Sequence, residues 1–293
     1  MDANEQMLRF DVVDVFADRP FAGNPLAVVH GAGGLTDHQL QAIAREFNLS
    51  ETVFPLAPTQ AGASYRARIF TPATELPFAG HPSVGVAWVL ARDGIIRTGH
   101  AIQECGAGLL PVRVDADGAR IDGGPARIGA RLDGGALAAA VGLTPDDLVA
   151  ELSPGMAGAG LDFAVLPVRA GAVARAVAPT ASALPEPGML AVVAFDEASR
   201  VGQVRVFAPG VNVAEDPATG SAAVALAVFL IDRGALAAAG DSEFVLIQGV
   251  EIGRPSRLEV SVTAEGGRAI RTSVRGRVVM VSHGEIVVPS AGR

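Results

Sequence analysis

Glu51 stands in Leu49-Ser50-Glu51-Thr52-Val53-Phe54-Pro55, where a helical stretch gives way to an apolar run. A carboxylate at the mouth of a core strand is suited to general acid/base work if burial raises its pKa toward neutrality. The same position also fits an ordinary exposed strand-end acid. His81 follows Gly80 in Phe78-Ala79-Gly80-His81-Pro82, and Ser221 follows Gly220 in Asp216-Pro217-Ala218-Thr219-Gly220-Ser221. Each run opens onto an apolar helical stretch. A helix start offers free N–H groups and a partial positive charge, which together suit an anion such as a carboxylate. Gly80 and Gly220 let a ligand come close to that backbone. Asp216 lies just ahead of the second start. The two helix starts together suit one shared anion site, with Glu51 and Asp216 as candidate acids near it. Capped ordinary helices, with His81 as a helix-cap residue, are the plain alternative.

The composition closes several routes. All 23 basic residues are arginine, so the chain cannot form a lysine Schiff base with pyridoxal phosphate and has no Walker-type lysine. Cys105 is the single cysteine, which rules out an internal disulfide and two-thiol chemistry. His30, His38, His81, His100 and His283 form no HxxxH or HExxH pair, so no metal site is expected. A net charge of −8 without a basic stretch argues against nucleic acid as a partner. The apolar run 222–231 is too short for a membrane span, and the N-terminal stretch lacks a signal-peptide pattern. The cytoplasm is the default expectation.

The candidate residues sit in a long-period repeat. Arg68-Ile69-Phe70-Thr71-Pro72 matches Arg205-Val206-Phe207-Ala208-Pro209 at an offset of 137 residues, and residues 78–94 match 218–234 at an offset of 140. Each copy reads as strand, turn, helix. Pro82 suits a first helical position and Ser221 an N-cap, while Gly94 and Gly234 suit the residue just past each helix. Residues 84–91 and 222–231 carry no charge on any face, which predicts helices buried on all sides. Each lobe should therefore wrap a sheet around one central helix. Glu75 and Glu215 match at offset 140, which suggests a shared structural role.

The wrapping strands are expected at 10–15, 26–29, 112–115, 163–168, 190–195, 258–262 and 278–281, with a surface helix over 36–47 opened by a Thr36/Gln39 capping box. The segment 171–188 reads as loop with a weak helix. The Gly/Ala/Asp-rich region 115–143 holds the lobe boundary. The N-terminal lobe is placed at 1–118, with strands 276–293 returning to it, and the C-terminal lobe at 119–275.

REFNLSETVF, RIFTPATELPFAGHP, EDPATGSAA and QGVEIGRPSRLEV together resemble the signature segments of the phenazine-biosynthesis PhzF-like family. DVFADRPFAGNPLAVV and RVVMVSHGEI extend the resemblance over nearly the whole chain. It implies an α+β, diaminopimelate-epimerase-like fold: two pseudo-symmetric lobes, each a curled, mainly antiparallel sheet around a buried helix, with a site between the lobes. It places the family's acid/base glutamate on Glu51, its partners on His81, Asp216 and Ser221, and backbone contacts to the ligand on Gly80 and Gly220. Diaminopimelate epimerases use a cysteine ahead of each buried helix. The runs 77–80 and 217–220 contain none, so isomerisation replaces two-thiol epimerisation.

The expected function is a cofactor-independent isomerase of a small carboxylate-bearing metabolite, acting by carboxylate proton transfer. A metabolite-binding protein without turnover and an epimerase of non-thiol mechanism are the alternatives. A homodimer is expected from the resemblance and from the prevalence of twofold assemblies.

Overall fold

The protein is described by a computed structural model covering residues 6–290. It divides into two compact units, one running up to Ile121 and resuming at Gly276, the other Asp122–Arg275.

In the first unit, β1 (Met7–Val15) and β2 (Asn24–Val29) form an antiparallel pair. Helix α1 (Asp37–Phe47) leads to β3 (Glu51–Leu56), which lies parallel to β2 with Leu26 opposite Glu51. β4 (Tyr65–Phe70) is antiparallel to β3, and the short β5 (Glu75–Leu76) folds back on β4. Helix α2 (Gly80–Arg92) follows, then β6 (Gly99–Cys105) parallel to β4, then β7 (Gly108–Val114) and β8 (Gly118–Asp122) as antiparallel additions.

The second unit repeats this order. After β9 (Ala126–Arg131) and helix α3 (Gly134–Ala140), β10 (Gly155–Ala159) and β11 (Asp162–Pro167) form an antiparallel pair. β12 (Leu190–Asp196) is parallel to β11, and β13 (Val201–Ala208) is antiparallel to β12. The short β14 (Val213–Asp216) folds back on β13 and leads into helix α4 (Gly220–Asp232). β15 (Gly240–Gln248) is parallel to β13, and β16 (Ser256–Glu265) is antiparallel to β15. The last strand, β17 (Arg268–Val287), pairs first with β16 and later with β1. The architecture is a mixed sheet with few helices. Two 3-10 turns, Ala170–Arg175 and Ala181–Ala183, occupy the segment expected to be loop with a weak helix.

Helices α2 and α4 enter at the same point of each pairing order. Both are buried along almost their whole length, as their uncharged sequences require. α2 packs on β1, β2, β3 and β7, and α4 on β10, β11, β9 and β16. They also end alike. Gly94 and Gly234 adopt φ of 72° and 75°. Gly94 N–H bonds Ala91 O and Ile95 N–H bonds Leu90 O, while Gly234 N–H bonds Ile231 O and Ala235 N–H bonds Leu230 O. This is the same left-handed glycine stop in both copies.

The starts differ from expectation. α2 begins at Gly80 with Ala79 as N-cap, so Pro82 is its third residue rather than its first. α4 has Thr219 as N-cap, and Ser221 lies inside the helix. α1 does carry the Thr36/Gln39 capping box and covers a core of Leu8, Val29, Leu40, Ile43, Phe54 and Phe70.

Gly85 lets α2 seat closely on the β1–β2 pair. A Cβ there would stand 2.5 Å from Leu26 Cδ2 and 2.9 Å from Val15 Cγ2. Overpacking costs about 1–3 kcal/mol, against a helix-propensity gain of about 1 kcal/mol for Gly to Ala. Gly85→Ala is therefore expected to lower the denaturation midpoint. A raised midpoint would show that the helix has room to spare.

Candidate functional site

Glu51 opens β3, and His81 lies in the first turn of α2. The parallel pairing of β2 and β3 brings Glu51 level with Leu26, next to Pro25. His81 Nε2 faces Glu51 Oε2 at 3.5 Å, with side-chain exposures of 6% and 16%. The ring also hydrogen-bonds the Pro25 backbone. Nε2 makes no hydrogen bond among the described residues, so Nδ1 is the nitrogen that donates to the Pro25 carbonyl. Burial pushes the His81 pKa down to about 3, outweighing that bond. At neutral pH His81 is thus a neutral imidazole. Its proton is on Nδ1, and the lone pair of Nε2 points at the Glu51 carboxyl.

This arrangement has a consequence for stability. Unfolded, the ring gains a proton near the ordinary imidazole value of 6.5; folded, it does so only near about 3. Between those values the unfolded chain binds more protons, so the contribution is complete above pH 6.5 and is lost as pH falls, by up to about 1.4 kcal/mol per pH unit. His81→Gln, which keeps a donor for Pro25, is expected to flatten stability against pH over that window. Parallel curves for the two proteins in denaturant titrations from pH 7 to 4 would contradict the buried neutral ring.

The start of α2 is held from below. Tyr65 Oη donates to Gln103 Oε1 at 3.1 Å, Gln103 Nε2 donates to Ser83 Oγ at 2.8 Å, and Ser83 Oγ donates to the Ala79 carbonyl at 2.8 Å. The N-cap residue Ala79 gives α2 no side-chain cap.

In the second unit Asp216 ends β14, and its Oδ2 accepts from Thr219 Oγ1 at 2.6 Å. Gln248 Nε2 donates to the Asp216 carbonyl at 2.7 Å, and Ser256 Oγ donates to the Pro217 carbonyl at 2.8 Å. Gly220 and Ser221 are the first two residues of α4, which also lacks a side-chain cap. The structure therefore brings Glu51 and His81 together, and sets Asp216 at the entrance to the helix that carries Gly220 and Ser221. Sequence reasoning missed Gln103, Ser83, Thr219 and Gln248. The last lies in QGVEIGRPSRLEV, one of the motifs that carried the resemblance.

Glu75 and Glu215 have the shared structural role their register suggests. Arg68 grips Glu75 through Nε and Nη2 at 2.8 and 2.6 Å, and Arg205 grips Glu215 through the same atoms at 2.9 and 2.6 Å. The guanidinium of Arg68 lies 5.1 Å from the Phe70 ring and that of Arg205 lies 5.0 Å from the Phe207 ring. One further grouping, Asp11, His30 and Asp93, has the spacing of metal ligands. Arg92 Nη2 bonds Asp11 at 2.9 Å and Arg9 bonds Asp93, so two cations already serve these acids. Among the described residues no helix is long and apolar enough to cross a membrane.

Comparison with known proteins fits this picture. The family model described as phenazine biosynthesis-like protein matches residues 13–284. An uncharacterised isomerase of Mesorhizobium japonicum is 36% identical, over 97% of this chain and 100% of its own. The trans-2,3-dihydro-3-hydroxyanthranilate isomerase of Pseudomonas aeruginosa is 35% identical, over 95% of this chain and 99% of its own. The crystal structure of a PhzF-family phenazine biosynthesis protein from Bacillus anthracis superposes with a TM-score of 0.85 at 25% identity, over 97% of this chain and 100% of that one. With its matching motifs, repeated helix starts and full-length relatives, the chain belongs to the phenazine biosynthesis-like family, a family of isomerases.

Proposed function

We propose that the protein is a cofactor-independent isomerase of a small carboxylate-bearing metabolite, in which Glu51 removes a proton from one carbon and returns it to another. The observation that carries this reading is the Glu51 carboxyl facing a neutral imidazole. As a carboxylate, Glu51 takes the proton from carbon. While it holds that proton, Nε2 of His81 can accept its hydrogen bond, since Nδ1–H is committed to Pro25. Delivery to a second carbon restores the carboxylate, and no net proton is consumed. The N–H groups at the starts of α2 and α4, on Gly80, Gly220 and Ser221, suit the substrate's carboxylate and the charge that builds up during proton transfer. Asp216, whose Oδ2 is an acceptor toward Thr219, suits a substrate amine or hydroxyl. Glu51, His81, Asp216 and Ser221 act on one substrate in this reading.

The finer architecture belongs to the same proposal: two pseudo-symmetric lobes of diaminopimelate-epimerase type, each curled around its buried helix. The matched pairing order of strands and the identical helix stops favour it. A homodimer completes it, and sedimentation at micromolar concentration giving only monomer would remove that part.

The test is incubation with candidate metabolites in deuterated water. The first is trans-2,3-dihydro-3-hydroxyanthranilate, on which the P. aeruginosa relative is named to act. Deuterium entering a carbon position of an isomerised product is the expected result. Tight binding without any carbon-bound deuterium would make the protein a binder.

A further inference from the structure

We propose that Gln248 is a positioning residue, one that fixes the direction of the hydrogen bond between Thr219 and Asp216 and keeps the Thr219 hydroxyl from capping α4. The inference rests on the reading of Asp216 as a substrate-facing group.

Gln248 is the last residue of β15, opposite Val204 of the parallel β13, and its exposure is 1%. Its amide is fully used. Nε2 donates to the Asp216 carbonyl at 2.7 Å and to Thr219 Oγ1 at 2.9 Å, and Oε1 accepts from the Thr219 N–H at 3.1 Å. Turning the amide over would set oxygen against the Asp216 carbonyl and nitrogen against the Thr219 N–H, so only one orientation is satisfied. That orientation dictates the next bond. Thr219 Oγ1 receives a hydrogen from Gln248, so its single hydroxyl hydrogen is the one given to Asp216 Oδ2, 2.6 Å away. Asp216 is thereby presented as an acceptor.

The same bond diverts Thr219 from a duty its position invites. An N-cap threonine ordinarily accepts from a first-turn N–H. Here the N-cap has no such bond. The loop is also braced from the other side. Ser256 Oγ holds the Pro217 carbonyl, and Gly249, at φ 74°, lies so near it that a Cβ would stand 2.6 Å from Pro217 O. In the first unit another buried glutamine, Gln103 on β6, reaches helix α2 through Ser83, two residues short of the place that matches Gln248 in the strand register.

The test uses the full chain without ligand and follows the carboxyl 13C resonance of Asp216 against pH, assigned by its loss in Asp216→Asn. Thr219→Val removes the hydroxyl and keeps the shape, and the Asp216 response should move to higher pH, because the carboxylate loses a donor. Thr219→Ser restores the hydroxyl and should return the response to that of the natural protein. Gln248→Met should move it in the same direction as Thr219→Val. A melting temperature lowered in Gln248→Met with an unchanged pH response would reduce Gln248 to a structural residue and overturn the proposal. If Gln248→Met does not fold, the Thr219 pair decides: equal responses in Val and Ser overturn it. No substrate enters this measurement, so its failure leaves the isomerase reading standing, and a blank deuterium screen leaves this inference standing.

Discussion

Glu51→Gln is expected to abolish incorporation of solvent deuterium into substrate carbon while leaving the fold and ligand binding in place. The side chain keeps its length and shape, and at 16% exposure it fills the same space at the start of β3. The new amide can donate to His81 Nε2, which is an acceptor in the neutral ring. What disappears is the only atom in this pair able to take a proton from carbon and hold it. Removing a general acid/base typically costs about 10²–10⁴-fold in rate. At the upper end of that range exchange falls below detection. The comparison with His81→Gln is informative. His81 does not touch the moving proton until Glu51 holds it, so that variant should slow turnover less than Glu51→Gln. Wild-type exchange in Glu51→Gln, on a substrate the natural protein turns over, would remove Glu51 from the chemistry even though the family assignment would stand.

Much of the architecture was readable because it depends on composition alone. Residues 84–91 and 222–231 carry no charge, and a helix without a polar face has to be buried. Gly94 and Gly234 were readable as stops because only glycine enters the left-handed region freely. The helix starts were less legible. Ala79 has no polar side chain to signal an N-cap, and the Thr219 hydroxyl, which could, bonds Asp216 and Gln248 instead. A local reading therefore moved the second start to Ser221. Strand β17 was legible from 276 onward, with its apolar centre at 278–281, whereas its first part, Arg268–Arg275, carries three arginines and scattered apolar residues that do not mark a strand. In the site, Glu51 and His81 were candidates by position and resemblance. The tautomer on which their proposed pairing rests is set by the Pro25 carbonyl, a partner that only the folded β2 supplies.

The two arginine–glutamate pairs should separate sharply in their effect on stability. Arg205 and Glu215 have side-chain exposures of 10% and 9%, whereas Arg68 and Glu75 have 15% and 41%. Arg205 also donates to the Ala176 carbonyl and feels Glu251 only at a distance, while Arg68 has Asp37 as a second hydrogen-bonded acid at 2.8 Å. Glu215→Gln takes the hydrogen-bonded counter-charge from a buried cation and leaves it only the more distant Glu251, which costs up to about 3–5 kcal/mol. Glu75→Gln removes a half-exposed partner from a cation that keeps another, and exposed pairs contribute about 0–1 kcal/mol. Denaturant unfolding of the two variants measures the difference, and equal losses would refute the distinction drawn from burial. Glu215 is followed directly by Asp216 on β14, so loosening its grip on Arg205 also frees the strand that presents Asp216. Glu215→Gln should therefore lose substrate affinity together with stability, whereas Glu75→Gln should change neither by more than a small factor. Retained affinity in Glu215→Gln would mean that the clamp formed by Gln248 and Ser256 holds Asp216 without help from the ion pair.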